Sequence, residues 1–74
     1  VRLEVHVADI DGQALIRLLD AGWGKEFRGG EEAPPELWLS YHANDLDGAA
    51  WALRHIHHSL RKGEFLGAKI APWT

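Results

Sequence analysis

Two segments of this chain repeat each other, and that repeat constrains the fold more than any other feature. Leu3-Glu4-Val5-His6-Val7-Ala8-Asp9-Ile10-Asp11-Gly12-Gln13-Ala14 aligns without gaps on Leu39-Ser40-Tyr41-His42-Ala43-Asn44-Asp45-Leu46-Asp47-Gly48-Ala49-Ala50, with six identities in twelve positions. The offset of 36 residues is almost half of the 74-residue chain. Near the end of each half, Lys25-Glu26-Phe27 is echoed by Gly63-Glu64-Phe65. The duplication predicts two successive strand–helix–strand units, about residues 1–28 and 36–72, joined by a loop at 29–35. It speaks to fold and not to chemistry.

Each unit carries the expected periodicities. Val1, Leu3, Val5 and Val7 alternate with Arg2, Glu4 and His6, the pattern of a strand covered on one face. Asp9 or Asp11 then caps a helix to about Ala21, with Ala14, Leu15, Leu18 and Leu19 as its apolar stripe. Gly22 and Gly24 end it around Trp23, and a short strand is expected at Lys25–Arg28. Leu37, Leu39, Tyr41 and Ala43 alternate inward along a strand at Glu36–Ala43. Asn44 or Asp45 caps a second helix to about Lys62, stopped by Gly63. Its buried stripe reads Leu46, Ala49, Ala50, Leu53, Ile56 and Leu60. A last strand spans Glu64–Pro72. The order βαββαβ predicts an α+β, ferredoxin-like sandwich: a four-stranded antiparallel sheet, both helices on one face, and an internal pseudo-twofold repeat.

Composition narrows the class. One small domain over residues 1–74 is expected, burying only about 60% of its unfolded surface. With no cysteine, neither a disulfide nor a thiolate zinc site can staple it, which leaves a good core or self-association. No apolar run approaches a membrane span and no leader pattern opens the chain, so a cytoplasmic location is expected. The net charge of −3 disfavours a large phosphate-binding surface. The ending Ala71-Pro72-Trp73-Thr74 is compatible with a fragment as well as with a whole chain.

The candidate contacts lie on two faces. Arg2, His6, Trp38, His42, Phe65 and Lys69 are expected on the sheet face away from the helices, with His6 beside Trp38 and His42 beside Arg2. His6 and His42 then sit at opposite ends of the sheet, too far apart for one metal. On the second helix Trp51, His55, His58 and Lys62 share an outward face, and His57 lies at the edge of the buried stripe as a partly buried imidazole. An outward Trp51 either docks onto a partner or packs under the 29–35 loop. His55 and His58 are spaced to clamp a transition metal but have no third ligand one turn away. The repeated Asp-x-Asp-Gly lacks the further oxygen ligands of a calcium loop and reads as helix capping.

No catalytic arrangement emerges. Ser40 and His42 share a strand face without an orienting carboxylate, and Gly29-Gly30 leads into Glu31-Glu32, which would repel phosphate. The stretch Leu3–Asp11 resembles the first strand and turn of vicinal-oxygen-chelate modules. The order of elements after it departs from theirs, so nothing is carried over. The reading is a non-enzymatic protein-interaction or regulatory module without cofactor, a homodimer or small subunit. Its contacts are Trp38, His6 and Phe65 on the sheet, or Trp51, His55 and His58 on the helix. The alternatives are a small-ligand or divalent-metal binder using surface histidines, and a single-stranded RNA binder working through the open sheet face. The latter lacks the glycine–aromatic signature and carries acidic Glu4.

Overall fold

The computed structural model describes residues 1–27, 32–33 and 36–71. Its main elements are β1 (Arg2–Ala8), α1 (Gln13–Asp20), β2 (Glu36–His42), α2 (Leu46–Ser59) and β3 (Phe65–Ala71). β1 lies in the middle and pairs antiparallel with β2 on one side and β3 on the other. Alternation places Leu3, Val5 and Val7 on one face of β1, where all three are fully buried. Leu18 of α1, Ala49, Ala52 and Ile56 of α2, Leu39 and Trp23 complete the core. Burial of each large side chain there contributes about 1.5–3 kcal/mol.

The fold is therefore α+β, with a three-stranded antiparallel sheet in the order β2-β1-β3 and two helices. The expected four-stranded ferredoxin-like sheet does not form. Its second strand fails at Lys25–Arg28, where Gly24–Glu26 make a short 3-10 turn instead. Two local demands impose that turn. Gly22 leaves α1 at φ 90°, and Trp23 then drops into the core, 8% exposed. Gly24 also lies against Leu19 so closely that a Cβ would overlap that side chain. Phe27 makes one isolated bridge to Tyr41, and Arg28 lies outside the described residues. Of the loop placed at 29–35, Glu32–Ala33 pair antiparallel with Glu36 and Leu37, a two-residue strip on the edge of β2. The remainder of that loop lies outside the described residues, as does Pro72 at the end of the last expected strand.

The repeated motif is used in two ways, which breaks the expected pseudo-twofold. In the second copy, Asp45 is the cap: Gly48 N–H donates to its Oδ1 at 2.8 Å, and α2 begins at Leu46. In the first copy, Asp9 Oδ1 accepts from Ala14 N–H at 3.1 Å across an added turn. Gly12 holds that turn at φ 72°, so α1 begins only at Gln13. Gly48, its counterpart, is an ordinary helical residue. At its other end α2 stops at Ser59 rather than Lys62, because Leu60 turns extended, and Gly63 takes φ 91° in the turn before β3.

Two faces also differ from the expected ones. The β1–β3 register slips between His6 and Val7, so that His6 faces Gly67 while Val7 faces Phe65. This one-residue bulge turns Phe65 from the open face to the helix side. There it packs against the core and meets the His57 ring edge-on at 4.7 Å. On α2, the buried residues are Ala49, Ala52 and Ile56. Leu46 is 62% exposed and Ala50 is exposed, although both were expected in the buried stripe. The apolar arc of α2 spans about 160° at 100° per residue, wider than one helix face can bury against a small sheet.

Candidate functional site

The open sheet face is occupied by its own side chains. Register places His6 opposite Trp38 and Arg2 opposite His42, as the sequence predicts. The His6 and Trp38 rings stack with centroids 4.4 Å apart and planes 6° apart. Lys69 Nζ stands 5.3 Å from the Trp38 ring centroid. Glu4 lies between two cations, Arg2 Nε at 3.5 Å and Lys69 Nζ at 3.3 Å. A nucleic-acid base stacking on Trp38 would have to displace His6 or Lys69, and it would meet the Glu4 carboxylate. His6 and His42 are about four strand residues apart, on the order of 13 Å, so they do not share a metal.

The β2 flank of α2 is partly covered by aromatic rings, with a cavity of about 310 Å³ left among Trp23, Tyr41 and Trp51. Trp51 is 54% exposed, but its ring lies 5.8 Å from Trp23 and 4.3 Å from His55. Trp23 in turn meets Tyr41 edge-on at 5.5 Å, and Phe27 meets Tyr41 at 6.5 Å. Trp51 is thus the outer member of an aromatic column that rises from the core. The alternative packing of Trp51 under the 29–35 loop falls largely outside the described residues.

Among the described residues the β3 flank of α2 has no such column of rings. Ala50, Leu53, Arg54, His57, His58 and Phe65 line a groove of about 430 Å³ between the helix and the start of β3. Leu46 continues the same stripe one turn earlier. The spacing Leu46, Ala50, Leu53, His57 is 4-3-4, the spacing of a helix-pairing seam. Below the groove, β3 pairs only with β1 among the described residues, and its other edge is open. Leu66 and Ile70 on this strand are 44% and 38% exposed. Sequence reading missed this surface because it assigned Leu46 and Ala50 to the core; Leu53, assigned with them, does pack against the core and also borders the groove. The signal was present in the excessive width of the apolar arc.

The remaining candidates separate. His55 packs on Trp51, whereas His58 borders the groove with His57 and Phe65. His57 is exposed, not partly buried. Among the described residues no group of three or more His, Cys, Asp or Glu side chains could hold a metal ion. Arg17 pairs with Glu64, whose other oxygen accepts from Arg61 N–H at 2.7 Å, which ties α1 to the turn before β3. None of the described helices is long and apolar enough to cross a membrane. No protein-family model, curated protein sequence or solved structure matches this chain.

Proposed function

We propose that this chain is a protein-interaction module that self-associates through the β3 flank of α2 and the open edge of β3. The observation that carries this reading is the exposed stripe Leu46, Ala50 and His57, with half-buried Leu53 between them, above a seven-residue strand whose outer edge has no partner among the described residues. An apolar helix stripe gains by burial against another protein surface. An edge strand invites a further strand where its edge is regular, which on β3 is Gly67–Ala71, beyond the bulge at Leu66. β3 has one lysine, which lies on the open sheet face with Glu4, and no proline between Phe65 and Ala71. A small domain without disulfides also gains stability by self-association.

Light scattering across a dilution series tests the reading. Wild-type protein is expected at twice the mass of one chain in concentrated solution. Ala50→Arg is expected to be monomeric while retaining its helix content, since Ala50 is exposed and arginine is a good helix former. A wild-type protein that stays at the mass of one chain throughout would refute self-association. Metal binding through His55 and His58 and RNA binding through Trp38 gain no specific support from the site geometry.

A further inference from the structure

We infer that the partner is a second copy of this chain related by one twofold axis, which joins β3 to β3 and α2 to α2 antiparallel in a single continuous sheet. This arrangement rests on the self-association proposed above and adds its symmetry and register.

The dimensions agree. α2 packs on both β1 and β3, and a twofold half a strand spacing beyond β3 would set the two α2 axes about 10 Å apart. Packed helices lie about 8–10 Å apart, so strand pairing and helix pairing are satisfied by the same axis. The levels agree as well. His57 touches Phe65, and seven residues back along α2 and three residues forward along β3 both travel about 10 Å. That places Ala50 above Ala68. Both are small and exposed, so the axis passes where the backbones can approach closely.

The side chains around that axis are self-complementary. Along β3, Leu66 and Ile70 stand two residues either side of Ala68, so each exposed side chain would face the other kind in the second copy. Along α2, the 4-3-4 seam would bury Leu46, Ala50, Leu53 and His57 against themselves. Asp47 and Arg54 border this seam one turn to each side of Ala50, and both are exposed. Antiparallel packing therefore sets Asp47 opposite Arg54 of the second copy, twice per dimer. An unrelated partner would have no reason to match this pattern of one acid and one base about a small central residue.

The decisive experiment is charge reversal with mixing, read by sedimentation at moderate salt. D47R and R54D are each expected to weaken self-association about tenfold or more, since each opposes like charges twice. Mixing the two variants is expected to restore assembly as a heterodimer, in which both contacts become Arg–Asp. The chain has no cysteine, so A50C gives a second readout that does not depend on the charges. Facing Cα atoms would lie about 5 Å apart, within disulfide reach. Mild oxidation should link A50C into dimers and leave H55C, on the other flank, unlinked. A wild-type dimer with no rescue on mixing and no A50C cross-link would overturn this arrangement while leaving self-association intact. A wild-type monomer at every concentration would overturn both.

Discussion

The two flanks of α2 begin from similar material and end differently. On the β2 side, Trp51 rests on Trp23 and Trp23 on Tyr41, so a helix edge that would otherwise be bare is covered from within. On the β3 side, Leu53 packs inward on the core, while Ala50 borders a groove that ends at Phe65 and Leu46 is 62% exposed. Among the described residues, the chain returns over the β2 side. The segment after α1 delivers Trp23 and Phe27 to the β2 side, and the Glu32–Ala33 strip pairs along that sheet edge. Among the described residues nothing comparable reaches β3. The self-association proposed for this chain uses the less covered of the two flanks.

The largest test of this contrast removes the aromatic column at its base. Trp23→Ala should cost about 3–5 kcal/mol of stability, because a buried ring leaves a cavity. Denaturant unfolding in dilute solution would measure it. A loss no greater than that of Trp51→Ala would mean the column does not cover the flank. Trp51→Ala should cost about 1–2 kcal/mol, since half of the residue is already in water while its ring contacts to Trp23 and His55 are lost. Self-association of Trp51→Ala should match wild type, which separates the more covered flank from the less covered one.

Smaller effects follow from the caps and the open face. Asp45→Ala should cost about 1 kcal/mol, the usual worth of a side-chain cap. Asp9→Ala should cost less, because its longer 3.1 Å bond reaches the second amide of α1 from five residues away across a turn. Equal losses in thermal melts would contradict the asymmetry of the two motif copies. His6→Ala should cost about 0.5–1 kcal/mol through its stack on Trp38. It should also leave the oligomeric state unchanged, and a change in molar mass would move the interface to the open face.

Much of this was legible in the sequence because period-2 patterns translate directly into faces. β1, β2 and the His6–Trp38 and Arg2–His42 pairs follow from alternation and antiparallel register alone. The failures share a different cause. Phe65 changed faces through a bulge, and a one-residue slip leaves no mark in the composition of Phe65–Ala71. The strand expected at Lys25–Arg28 lost to Trp23, whose burial outweighs the weak β pattern of its neighbours. Asp-x-Asp-Gly could not announce that one copy would begin a helix directly and the other insert a turn. In α2, too many apolar residues were assigned to one stripe, when the surplus belonged to a second surface.

Self-association as proposed here uses the outer edge of β3, and amide hydrogen exchange over Phe65–Ala71 at high and low protein concentration examines it most directly. The account predicts that a subset of these amides gains protection as concentration rises, and that Ala50→Arg abolishes the gain by preventing the helices above from meeting. Exchange that is the same at every concentration, with α2 equally unaffected, would contradict it.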